Sequence, residues 1–180
     1  MNLWNLMETN LMVPKRFGKK LIVGNVLFAF VVALVAVFMT AILPAQTRQE
    51  EVAKKGAEVM PFDLEQTTHV FQALEDGGLQ KVVVKNPSNQ KQIALIQSHL
   101  KEESERFRKG DFSDPAKIHG DDMPGLAQLK AGAKEINVRY TALPDGAEIR
   151  YQAKDPKLVV AIHQWFSAQV FDHGHHAMGH

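Results

Sequence analysis

Leu21–Leu43, LIVGNVLFAFVVALVAVFMTAIL, is a run of 23 residues in which Asn25 is the only strongly polar side chain. As a helix rising about 1.5 Å per residue it would extend roughly 34 Å, enough to cross a hydrocarbon core of about 30 Å. The run predicts a transmembrane helix, and the side taken by each flank follows from charge. Lys15, Arg16, Lys19 and Lys20 lie directly before it, and the first basic residue after it is Arg48. The positive-inside rule then places residues 1–20 in the cytoplasm as a short arm and residues 44–180 on the far side. A cleaved signal peptide is the competing reading. Its apolar region is usually about 7–15 residues long, and Leu43 is not the small residue that cleavage after Ala45 requires. The expectation is a single-pass protein of the inner (cytoplasmic) membrane, with a cytoplasmic N-terminus and a periplasmic C-terminal domain. Its expected partners are membrane lipid and other transmembrane subunits, with Asn25 marking a helix-packing face.

Residues 44–180 number 137, enough for one domain with its own core. They carry 17 basic and 19 acidic side chains, a net charge of −2, which is no electrostatic footprint for nucleic acid. Cysteine is absent, so neither a disulfide nor a thiolate metal site is available. Metal chemistry in this chain must therefore use His, Asp, Glu or Met.

The region past the apolar run predicts a charged helical stalk over residues 44–61, ended by Pro61. A domain over 62–172 then shows an internal echo. HVFQALEDGGLQKVVVKNP (69–87) is followed by an amphipathic stretch at 88–107. VRYTALPDGAEIRYQAKDP (138–156) is followed by another at 157–171. Each half reads as strand, Ala-Leu-x-Asp-Gly, strand, Asn/Asp-Pro, helix. Asp76-Gly77 and Asp145-Gly146 are hairpin turn signals, because glycine supplies the positive φ that such turns need. Asn86-Pro87 and Asp155-Pro156 look like helix starts, a cap followed by Pro at the first helical position. The expected fold class is α+β. It is a single N-terminal transmembrane helix followed by a duplicated ββα–ββα domain, a four-stranded antiparallel sheet with both helices on one face.

Between the repeats lies KGDFSDPAKIHGDDMPGLAQLKAG (109–132), and DHGHHAMGH (172–180) ends the chain. The first is a polar insertion of the kind on which sites are often built; the second is expected to be a mobile histidine-rich tail over 173–180. All eight histidines follow the apolar run. Imidazole suits Cu(II), Zn(II) and Ni(II), and thioether suits Cu(I). His99 and Glu103 are four apart and share a helix face; aligning the repeats places His163 one turn from His99, with His119 in the loop that would close over them. The tail offers His173, His175, His176, Met178 and His180. The candidate metal ligands are therefore His99, Glu103, His119, His163, His173, His175, His176, Met178 and His180, with copper or zinc as the expected ion. Each has a plainer reading: His163 as a hydrogen-bonded core histidine, His99–Glu103 as a solvated helical pair, His119 as a turn residue.

No phosphate loop, G-x-S-x-G elbow, H-E-x-x-H or C-x-x-C-H is present, so nothing recognisable argues for an enzyme. SHLKEESERFRKGDFSDPAKIHGDDMPGL (98–126), with VRYTALPDGAEIRY and AIHQWFSAQVFDHG, resembles a family of small, uncharacterised bacterial exported proteins. Some of its members carry the label aspartate carbamoyltransferase. The Ser-x-Arg-Thr loop and His-Pro-x-Gln motif of that enzyme do not occur here. The functional expectation is a membrane-anchored periplasmic protein that binds and handles copper or zinc. A structural accessory subunit of a membrane complex is the alternative, and a small hydrolase or lyase using His119 with Asp121 or Asp122 is the third.

Overall fold

The computed structural model describes residues 47–179. A first helix, α1, runs over residues 47–59. Then come β1 (Thr67–Leu74), β2 (Gly77–Val84), α2 (Gln90–Arg108), α3 (Ser113–His119), α4 (Leu126–Gly132), β3 (Ile136–Leu143), β4 (Gly146–Ala153), α5 (Pro156–His173) and β5 (Ala177–Gly179). Short 3-10 turns precede β1, β3 and β5.

Both Asp-Gly steps lie at hairpin turns, β1–β2 and β3–β4 each pairing antiparallel along their full length. The hairpins join through β2 and β4, with Val82 opposite Ala147. Asp155 caps α5 by accepting from the Lys157 amide, and Pro156 opens the helix. The first repeat departs from this pattern. Asn86 accepts from the Ser88 amide in a turn, and the cap falls on Asn89, which accepts from Gln92 N–H. Pro87 thus belongs to the turn, and α2 starts three residues later.

The expected four-stranded antiparallel sheet is corrected to a five-stranded mixed sheet in the order β3-β4-β2-β1-β5. The extra strand is the tail. It turns at Gly174, whose φ of +54° suits a residue without a Cβ. It then lays Ala177–Gly179 parallel to β1, with His69 opposite Ala177. An uncovered β1 would present a row of unpaired backbone groups, and the tail pairs with that edge at His69, Val70 and Phe71. The described part of the tail is therefore structural.

Helix α5 packs on β1 and β2, and α2 on β3 and β4. Strand alternation sends Phe71, Val82, Ile149 and Tyr151 into a core completed by Ile96, Ile162, Trp165 and Phe166. The turn before α4 approaches α5 so closely that a Cβ on Gly125, at φ +80°, would strike the Ala161 carbonyl. Helix α1 packs on the domain as well: Val52 is fully buried and Arg48 reaches α3 and α5.

The expectation of a single-pass inner-membrane protein with a periplasmic domain is also corrected. Among the described residues no helix is long and apolar enough to cross a membrane. Even α5, at 18 residues, carries Lys157 and Asp172 and is packed against the sheet. The expected span, Leu21–Leu43, lies outside the described residues, as do the 1–20 arm and His180.

Candidate metal centre and buried histidine cavity

The chain brings histidines together in two places, both on the segment where α5 becomes β5. On the outside, the 3-10 turn Gly174–His176 meets the 3-10 turn Leu64–Gln66 that leads into β1. The parallel β1–β5 pairing sets these two turns side by side. Glu65, His175 and His176 each offer one donor atom, and the three donors lie within 4.8 Å of one another. Nε2 of His176 is 3.3 Å from Oε1 of Glu65, and the two imidazole centroids are 3.8 Å apart. Glu65 and His175 are exposed while His176 is buried, so the group opens to solvent on one side. Burial, followed by the neighbouring His175, lowers the pKa of His176 against the opposing pull of Glu65. It is therefore held neutral, the form that ligates. This triad can hold a metal ion.

Inside, a cavity of about 40 Å³ lies between the sheet, α2, α3 and α5, with residues 59–62 over it. Its polar lining includes His69, His99, Glu103, His119, Gln169 and His173. Strand register explains the contribution from the sheet. His69 faces Val82, and Phe71 faces Gln80, so His69 and Gln80 project to the helix side. Trp165, Gln169 and His173 follow at four-residue spacing down one face of α5.

Each ring packs against its neighbours. His69 stacks on His173 with centroids 4.8 Å apart and planes 8° from parallel. His119 meets His173 edge-on at 4.9 Å. His99 lies edge-on to Phe62 at 5.7 Å. His119 Nδ1 lies 2.8 Å from Asp172 Oδ2, and Arg48 donates to both Asp172 oxygens, at 3.1 and 2.7 Å, and to the His119 carbonyl. Burial pushes the Asp172 carboxyl up, but the hydrogen bonds from His119 and Arg48 outweigh it and bring its pKa to about 2. Burial lowers His69 to about 3, helped by the other histidines and opposed by a hydrogen bond to the His176 backbone. His173 is held well below the usual histidine range, chiefly by burial. The cavity imidazoles beside β1 are thus neutral.

At the α2 end, burial raises Glu103 to about 8, and the nearby Asp114 adds to the rise. Arg106 lies 3.2 Å from Glu103, yet it also bonds Asp111 at 3.0 Å and Asp114 at 2.5 Å. Its charge is shared among three carboxyls, so burial prevails and Glu103 stays protonated at neutral pH. Three buried polar atoms around this space have no hydrogen-bond partner: His69 Nδ1, Trp165 Nε1 and Gln169 Nε2.

Of the ligands expected from sequence, His99, Glu103, His119 and His173 line this one cavity. His163 is not among them. Its Nε2 donates to the Leu74 and Gly77 carbonyls, at 3.0 and 2.8 Å, tying α5 to the first hairpin. It fills the role of the hydrogen-bonded histidine. His175 and His176 join Glu65 outside, while Met178 is exposed on β5. The expected pairing of His119 with Asp121 or Asp122 is replaced by Asp172, and Asp121 is bound instead by Lys130 at 2.8 Å. Sequence reasoning missed Glu65, which looks like an ordinary exposed carboxylate, and His69. The second was signalled by alternation, since a histidine at the inward position of a strand needs a polar destination.

The chain matches no protein-family model, no curated protein and no solved structure.

Proposed function

We propose that this protein binds a first-row transition metal ion at Glu65, His175 and His176, copper in preference to zinc, and serves to hold and pass on that ion. The observation that carries this reading is that three donors from two segments far apart in sequence meet within 4.8 Å. Two imidazole nitrogens and one carboxylate oxygen form an N,O set that suits tetragonal Cu(II), and Zn(II) accepts the same donors. Exposure of two of the three ligands leaves coordination positions open to water or to a second protein's ligand, which favours exchange over permanent storage. No recognised catalytic motif competes with a handling role.

Calorimetric titration of the full-length protein with Cu(II) and with Zn(II) tests this. One equivalent should bind outside the domain core, tighter for copper, and its affinity should fall at least tenfold in Glu65→Gln and in His175→Ala. Unchanged affinity in both variants would refute the assignment.

A further inference from the structure

The buried cavity has what a second, different metal site requires, and it shares no ligand with the outer triad. A metal-binding histidine usually has its other ring nitrogen fixed by a carboxylate or a backbone carbonyl, which sets the tautomer and aims the free lone pair. His119 meets that condition, with Nδ1 on Asp172 and Nε2 left over. His69 meets it too, hydrogen-bonded to the His176 backbone while its buried Nδ1 has no partner. His173 packs against both rings, 4.8 Å from His69 and 4.9 Å from His119 between centroids.

The other two unpartnered atoms of the cavity lining cannot ligate. Trp165 Nε1 and the Gln169 amide nitrogen only donate, and both are buried, with their residues 1% and 5% exposed. Two donors sealed beside three imidazoles require an acceptor between them. An oxygen bound to an ion in the cavity supplies one. A cavity of about 40 Å³ accommodates an ion with one such ligand.

We propose that this cavity is a second, buried transition-metal site. His69 Nδ1, His119 Nε2 and the His173 ring coordinate the ion, and Trp165 and Gln169 donate hydrogen bonds to a water or other small oxygen ligand in its fourth position. Three imidazole nitrogens with one exchangeable oxygen is a tetrahedral arrangement, which suits Zn(II) better than the tetragonal preference of Cu(II). Among the described residues only the outer triad has three donors already within 4.8 Å, so loading the cavity requires a ring to turn. The ring that turns is His173, which lies in contact with both of the others. The inference does not depend on the outer site.

Cobalt(II) distinguishes the two sites, because four-coordinate Co(II) absorbs far more strongly in the visible than the five- or six-coordinate ion expected at an exposed triad. Full-length protein carrying Glu65→Gln and His175→Ala should still bind one Co(II) with an intense visible band, displaced by one equivalent of Zn(II). His69→Ala and His173→Ala should each remove that band while the outer site still takes Cu(II). An intense band that survives both cavity variants, or its absence from the outer-site double variant, overturns the proposal. If the cavity variants do not fold, the outer-site double variant with Trp4→Phe provides the decision. Trp165 is then the only tryptophan, and one equivalent of paramagnetic Co(II) should quench its fluorescence at least twofold. No quenching in that protein overturns the proposal as well.

Discussion

Asp172 Oδ2 lies 2.8 Å from Nδ1 of His119, a residue 53 positions earlier in the chain. The same carboxylate holds Arg48 of α1 at 2.7 Å. One acidic side chain at the end of α5 thus secures both the insertion between the repeats and the first described helix.

Replacing Asp172 with Asn should therefore loosen two elements together. The carboxylate is buried while Arg48 is about one-third exposed, which limits the loss to about 1–3 kcal/mol. The Asp172 pKa is depressed in the fold, so its stabilisation is present above its ordinary value and lost as pH falls towards about 2. Urea unfolding at pH 7 and at pH 3 should show a smaller difference in Asp172→Asn than in the wild type.

Glu103 behaves in the opposite sense. Its pKa is raised from 4.5 to about 8, so the folded state binds the extra proton between those values. The Glu103 contribution is full below pH 4.5 and declines as pH rises towards 8, with a slope of at most about 1.4 kcal/mol per pH unit. Denaturation midpoints measured from pH 5 to pH 9 should fall in the wild type and stay flatter in Glu103→Gln.

His163→Ala should leave metal stoichiometry unchanged. The side chain donates to two carbonyls of the first hairpin, and leaving them unsatisfied costs about 1–3 kcal/mol. Thermal unfolding together with a copper titration checks both halves of this expectation.

Gly125→Ala forces a side chain into a left-handed position facing the Ala161 carbonyl. The backbone strain alone is roughly 1–3 kcal/mol, and the contact with α5 adds to it. The midpoint of thermal unfolding should drop by several degrees, whereas substitution at the exposed, less constrained Ala127 should barely move it.

Much of this architecture is legible from residue pattern. The Asp76-Gly77 turn, with Gly77 at φ +143°, and the Asp155-Pro156 helix start are local signals that need no distant partner. Gly146 does not take the expected positive φ and is required instead because a Cβ there would strike the Val82 carbonyl. The fifth strand is different. Ala177–Gly179 has no strand pattern of its own and exists because the β1 edge is there to pair with it. Spacing also placed His99, Glu103 and His119 near one another, though His163 points away because α5 leans over the first hairpin. Glu65 and His69 could not be linked to the tail from sequence. Their connection is made by a parallel pairing across more than 100 residues.

The central claim is that Glu65, His175 and His176 hold a copper ion, and electron paramagnetic resonance of the full-length protein with one equivalent of Cu(II) tests it most directly. The account predicts a tetragonal spectrum with hyperfine splitting from two imidazole nitrogens. That splitting should be reduced to one nitrogen in His175→Ala, with altered parameters in Glu65→Gln. A spectrum identical in the wild type and both variants would contradict it.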